Sequence, residues 1–437
     1  MPVLEEQNTF VADFERAERS LATVGPPALH RVRETAIQRF AALGFPTLED
    51  EDWRFTPLAA LTQNAFKLGE RASADAAQVQ NLAFAPDDCY RLVLSNGRFA
   101  PTLSVLAELP QGTVVCDLVG ALKNHPQLVA PHLARHADYE DHAFSALNTA
   151  FIQDGAFVYL PKNAVIDRPI YVVFVSVAGN DLTVSYPRTL IVAEHNSQAR
   201  IVEAFIGVEE DVYFTNGVTE LVAAESAILD YAKLQRESKR AFHVHTLQIH
   251  QDKSSNVKSH TINLGGRLVR NEVNAVLDAE GCECTLNGLS LASGEQLVDN
   301  HTRIDHAKPH CISHELYKSI LDGHARGVFN GRIYVHPDAQ KTDAKQTNQT
   351  LLLSENAMID AMPQLEIFAD DVKCTHGATV GQLDAESIFY LRTRGIDKDA
   401  ARALLTFAFA NDIVGRLAVE PLRGGLEKLL IATDERR

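Results

Sequence analysis

The spacing of apolar residues changes twice along this 437-residue chain. In the first stretch, Phe10 to Leu21 and Ala28 to Leu43 carry apolar side chains three and four residues apart, the period of an amphipathic helix. Pro26-Pro27 separates these two segments, and Gly44-Phe45-Pro46 stops the second. Tyr90-Arg-Leu-Val-Leu predicts a strand that ends in an Asn96-Gly97 turn, and His142 to Phe151 returns to helix. Residues 1–150 therefore read as a mostly helical region.

Over residues 151–395 the period becomes that of strands. Runs of β-branched and aromatic residues recur: Phe157-Val-Tyr-Leu, Tyr171-Val-Val-Phe-Val, Thr189-Leu-Ile-Val, Arg200-Ile-Val-Glu-Ala-Phe, Val244-His-Thr-Leu-Gln-Ile, Arg332-Ile-Tyr-Val and Thr350-Leu-Leu-Leu. Turn formers separate them. Long helical windows are missing, which disfavours a βαβ sheet because every parallel crossover there needs a helix. A sandwich or barrel of this length would be unusually large for one domain. A parallel β-helix grows one coil at a time and accepts the length. With coils of about 20–25 residues, the region would hold roughly ten.

Residues 396–437 are helical again. Asp397 is a good N-cap, and Leu404, Leu405, Phe407 and Ala408 form an apolar stripe after it. Pro421 opens a second, short helix. Such helices either cap the exposed last coil or present an apolar surface to another protein.

Charge narrows the partners. A formal net charge of −16 argues against nucleic acid, whose phosphates need a basic face, and against an anionic membrane surface. The apolar run from Ile170 to Ala178 is too short to span a bilayer. The opening Met1-Pro-Val-Leu-Glu-Glu-Gln has neither the basic nor the apolar segment of a signal peptide, so the expectation is a cytoplasmic protein. Six cysteines without a Cys-x-x-Cys pair exclude a disulfide framework and a self-contained four-cysteine metal site. There is no Gly-x-x-x-x-Gly-Lys-Ser/Thr loop and no dinucleotide fingerprint, so any ATP-driven step must come from another chain.

The best candidate chemistry lies in Asp371-Val-Lys-Cys-Thr-His-Gly-Ala-Thr-Val-Gly381. On an extended strand Cys374 and His376 share a face. Nothing nearby supplies an oxyanion hole or an orienting carboxylate for a nucleophilic dyad, and a thiolate/imidazole pair suits iron or zinc better. The bland alternative is a buried cysteine beside a structural histidine. Cys282-Glu-Cys284 also shares a face, yet buried free cysteines commonly act as small apolar residues. His301, His306, His310 and His314 imitate helical ligand spacing, but Pro309 and the strand-like surroundings deny the helix. Together with His243 and His245 they read as surface and ladder histidines.

The chain resembles the SufB/SufD family of iron–sulfur cluster assembly proteins. The resemblance is carried by Ile312-Ser-His-Glu-Leu-Tyr-Lys-Ser-Ile-Leu-Asp-Gly-His and the residues that follow to Val335. It extends through Gln346-Thr-Asn-Gln-Thr-Leu-Leu-Leu-Ser, Pro363-Gln-Leu-Glu-Ile-Phe and Ile388-Phe-Tyr-Leu-Arg-Thr-Arg-Gly, and through the tryptophan motif Glu51-Asp-Trp-Arg-Phe-Thr-Pro-Leu. It implies a right-handed parallel β-helix core flanked by helical N-terminal and C-terminal segments. It also implies a non-catalytic scaffold subunit that pairs with SufB and binds the ABC-type ATPase SufC through the helices after Asp397. Cys374-Thr-His376-Gly377 looks like the SufD pattern, since SufB-like chains carry glutamate after the histidine. By that match His376, with Cys374 as a weaker second, meets an essential cysteine of SufB and shares a transient iron–sulfur cluster with it. A reduced flavin is associated with the family's whole complex, and a homodimer is an option for the isolated subunit. The competing readings are a SufB-type main scaffold, a β-helix carbohydrate-active enzyme and a stand-alone zinc enzyme.

Overall fold

A computed structural model describes residues 2–106, 108–179 and 181–434. Its core is a parallel β-solenoid of two facing sheets. One sheet stacks eight coil strands from Gly155–Leu160 to Met358–Ile367, and the other runs from Ile170–Ser176 to Lys373–Gly381. Sequence patterning and resemblance both anticipate this architecture. The coil size differs from expectation. Leu268, Leu297, Arg326 and Met358 are neighbours in successive coils, so a coil takes 29–32 residues there. Strands on both faces of a coil are ten residues long, as in Glu283–Ala292 and Leu297–His306. Two such strands already use most of the repeat, which gives eight coils where ten were expected.

Alternation decides what each strand buries. Inward residues stack in columns through the lumen, Leu247 on Val273 and Ala275 on Ile304. Outward residues such as Ile262, Leu289 and Ile320 are buried only because helices cover them. One corner is held by a ladder in which Asn196, Ser226, Ser254, His310 and Lys341 all take positive φ. Each of their N–H groups donates to a carbonyl of the following coil, as His310 does to Gln340 and Lys341 to Asp371. His310 is therefore a corner residue, and Gly281 fills the same left-handed slot at φ 76° without a Cβ penalty.

The N-terminal region closes the first end. Val114–Asp117 pairs antiparallel with Gly155–Leu160, and Tyr90–Ser95 pairs with Ile170–Ser176 before turning through Asn96-Gly97. Helices Pro2–Leu21, Pro27–Leu43 and Ala143–Ala150 pack around Phe10, Phe40, Phe45 and Phe144. The tryptophan motif fastens this lobe to the coils. Trp53 stacks on Phe144, and the Arg270 guanidinium lies 4.2 Å from its ring while pairing with the buried Asp299. A second clamp uses Glu220. Its carboxylate accepts the backbone N–H groups of Ala134, Arg135, His136 and Ala137 at 2.8–3.1 Å and pairs with buried Arg188 at 2.6 Å. Burial alone would raise the Glu220 pKa, but the guanidinium and the amides outweigh it and hold the carboxyl below its ordinary value.

The C-terminal helices do not cap the last coil. Lys398–Val414 and Glu420–Asp434 lie along the outer face of the second sheet, where Ala410, Ile413, Leu417 and Leu426 bury Ile262, Leu289 and Ile320. Lys318 fixes them, with Nζ 2.7 Å from Asp412 and 4.4 Å from the Phe409 ring centre.

Glu220→Ala should leave the buried Arg188 without its carboxylate and the amides of residues 134–137, two of them buried, without their acceptor. The expected loss is about 3–5 kcal/mol, the usual range for breaking a buried ion pair. Chemical denaturation checks this, and an unchanged midpoint would remove the clamp from the account.

Candidate functional site

Solenoid stacking pairs every internal strand on both edges, but the last strand of each sheet has one open edge. Among the described residues, nothing pairs with the outer edges of Met358–Ile367 and Lys373–Gly381. Exposed apolar side chains gather there: Met358, Phe368, Val380 at 52% and, on the following helix Ala385–Thr393, Phe389 at 68%. Unpaired backbone beside exposed apolar groups is a surface built for strand pairing or for burial by another chain.

Both candidate ligands sit on this terminal strand. Cys374 pairs in register with Ala344 and His376 with Gln346, so the two share the lumen-facing side. Their environments differ. Cys374 is half-buried against Ile333, Val335, Ala344 and Leu365. Desolvation pushes its thiol above the ordinary range, and a hydrogen bond with the Ala344 backbone offsets only part of that. His376 is exposed, and Gly377 beside it has nothing within 4 Å of where a Cβ would stand. The pair is therefore brought to one face, with an accessible imidazole and a partly sheltered thiol.

Behind His376 lies a polar column that the sequence reading missed. Gln346 is next inward, then Glu315. Both are buried, and Gln346 Nε2 donates to Glu315 Oε2 at 2.9 Å. Desolvation raises the Glu315 pKa to about 7, against smaller opposing contributions from Thr302 and Gln346. The signal was the alternation in Gln346-Thr-Asn-Gln, which puts Gln346 and Asn348 on the inward face of a core strand.

The other candidates are placed apart. His243 and His245, expected at the surface, are buried in the lumen. The first lies 2.7 Å from Glu237 and the second 3.1 Å from the Thr219 hydroxyl. Burial, helped by nearby Lys233, lowers the His243 pKa to about 4. Cys282, Cys284 and Cys311 are buried among lumen apolar residues, as the bland reading had it. His301 faces outward beside Asp299, His306 faces the lumen and hydrogen-bonds Ser313, and His314 is exposed on the other sheet, so they form no common site. On the helix Lys398–Val414, Leu404 and Ala408 are exposed one turn apart, Leu405 is half-buried, and Phe407 packs against the core.

The family model described as "SUF system FeS cluster assembly, SufBD core domain" matches residues 174–409, and that of the "SufBD protein N-terminal region" matches residues 4–172. A SufBD family iron–sulfur cluster assembly protein of Synechocystis is 34% identical, over 91% of this chain and 89% of its own length. The iron–sulfur cluster assembly protein SufD of Escherichia coli is 30% identical over 89% of each chain. Its namesake in Bacillus subtilis is 28% identical over 94% of each. No described helix is long and apolar enough to cross a membrane.

The raised thiol pKa of Cys374 predicts slow alkylation. At pH 8 less of it is thiolate than in an ordinary cysteine, so iodoacetamide should label it more slowly than free cysteine, with the rate still climbing above pH 9. Mass spectrometry of timed aliquots checks this. Labelling at the free-cysteine rate would mean the thiol is not sheltered.

Proposed function

This chain belongs to the SufBD family of iron–sulfur cluster assembly proteins, and on that premise we propose that it acts as the SufD-like subunit of a cluster-building scaffold. It pairs with a SufB-like chain across its open solenoid end and binds a SufC-like ABC ATPase through its C-terminal helices. ATP hydrolysis belongs to that ATPase, and this chain is a non-catalytic scaffold. The observation that carries the reading is His376, an exposed imidazole on a strand whose outer edge is unpaired.

Iron and sulfide are cargo in this scheme. A partner strand laid on Lys373–Gly381 gains backbone hydrogen bonds and covers Val380 and Phe368. It also brings its own ligands up to His376. Cys374, half-buried two residues away, is the weaker donor from this side. Neither chain holds a full ligand set, so the transient cluster forms only where the two meet. Sparse ligation keeps the product labile enough to pass on, whereas four thiolates would hold it. A reduced flavin on the assembled complex would supply electrons and needs no site on this chain. In the absence of the SufB-like chain, the same open strand can pair with a second copy of itself.

The C-terminal helices have the layout for coupling to an ATPase. Leu404 and Ala408 face away from the solenoid, while the same helix is tied by Asp412 to Lys318, a residue of the coil that carries Glu315. Movement of the helix therefore bears on a coil two rungs from the open end.

His376→Ala should leave the complex assembled on gel filtration while iron and acid-labile sulfide per complex fall to background. A normal cluster yield would remove His376 from the mechanism. Val380→Lys places a charge on the open end and should abolish pairing with the SufB-like chain without unfolding this one, because Val380 is exposed.

A further inference from the structure

Three buried oxygens belong to inward-facing residues on the two strands next inward from Lys373–Gly381, at the mouth of the lumen. Gln346 Oε1 and Asn348 Oδ1 accept no hydrogen bond from the described residues, and Glu315 Oε1 takes none of normal geometry although the Thr302 hydroxyl is near. Their residues are 2%, 0% and 3% exposed. The amide nitrogens are already spent: Gln346 Nε2 donates to Glu315, and Asn348 Nδ2 reaches the Tyr317 carbonyl at 3.4 Å. The three oxygens are left as open acceptors, and the buried Thr302 and Thr350 hydroxyls on the same inward faces likewise lack a partner of normal geometry among the described residues. Leaving buried acceptors open is costly, and a bound cation would answer several of them with one ion. Among the described residues, no cation acts on the Glu315 carboxylate.

The place is also shaped. Gly331 faces Gln346 across the lumen, where a Cβ would stand 2.4 Å from Gln346 Nε2 and 2.8 Å from the Phe329 ring. His376 lies one rung outward from Gln346, a step of about 4.8 Å.

We propose that the solenoid mouth is a holding site for one divalent cation, bound by the Glu315 carboxylate with the Gln346 and Asn348 amide oxygens, and that His376 is its outermost ligand at the opening. Oxygen donors with a single imidazole suit ferrous iron or its analogue manganese, and suit soft thiophilic ions poorly. The inference rests on the scaffold reading above and deepens it: this chain delivers the iron to the shared site, and the partner contributes the thiolate side. Ferrous iron enters through the open end, exchanges water for the three oxygens, and leaves outward past His376 without any change of oxidation state.

The test uses the full, untagged chain and Mn²⁺, whose six-line electron paramagnetic resonance signal in solution disappears on binding. The unaltered chain should take up one Mn²⁺, and anaerobic Fe²⁺ should displace it. Glu315→Gln and Gln346→Leu should each weaken uptake by at least about tenfold, with melting temperatures that show both variants folded. Glu34→Gln should keep full uptake. It serves as the control because Glu18, His30 and Glu34 form a separate, partly exposed group of metal-capable side chains on the N-terminal helices. No Mn²⁺ uptake, or uptake unchanged in both mouth variants, would mean the oxygens bind ordered water only and would overturn the proposal. Loss of uptake in Glu34→Gln would place the ion on the helices and overturn it equally. Cluster yield from the His376→Ala complex judges the scaffold reading separately: a low yield together with unaltered Mn²⁺ uptake by the mouth variants sinks the holding site and leaves the scaffold standing.

Discussion

A parallel solenoid satisfies the backbone of each coil with the coil that follows, and the last coil has none. That constraint organises this molecule. Each inner strand, from Arg188–Ala193 onward, has its N–H and C=O groups paired on both sides. The first end is finished by strands of the N-terminal region, one of them antiparallel. The second end stops at Lys373–Gly381, whose outer edge no described residue pairs. An unfinished edge is an aggregation hazard unless something specific covers it. Here the free edge coincides with the exposed His376 and a fringe of apolar side chains, so the structural gap and the chemistry occupy one place.

The lumen is unusually polar for a core. Glu203 is buried and takes hydrogen bonds from Thr189, Thr219 and Tyr231, and Lys233 donates to Asn271 at 2.5 Å. Desolvation raises the Glu203 pKa and lowers that of Lys233 to about 7, so burial works against the charged form of both groups. In the middle of the stack these groups are answered by neighbours one rung away. Toward the open end Gln346 and Asn348 have no further buried coil beyond them, and their amide oxygens join mid-stack atoms such as His243 Nε2 and Ser259 Oγ that no described residue answers.

Helices Lys398–Val414 and Glu420–Asp434 gain their burial sideways. By lying on the outer face of the second sheet they hide Leu289 and Ile320 and leave the solenoid end uncovered. A cap would have satisfied the edge and closed the site. Lys318, which ties these helices to the sheet, alternates with Glu315 and Tyr317 on one strand, so a single strand has one face on the helices and the other on the lumen. The path from an outer partner to the mouth is therefore short and built of regular structure.

Much of this was legible in the chain alone. Period-two alternation without intervening helices requires a solenoid or a very large sandwich. Asp397 announced its helix, since its carboxylate does accept the Asp399 and Ala400 amides. Cys374 and His376 had to share a face whatever the fold, because side chains two apart on a strand always do. Sequence could not say which face looked inward, and so it put His243 and His245 at the surface. It also could not give the coil length, which depends on where corners fall, or show that Ala385–Thr393 is helical. Only the stacked structure set Glu315, Gln346 and His376 in one column, since residues about thirty apart become neighbours solely through register. Local spacing fixes what a strand can present, and the pairing of distant strands decides what stands next to it.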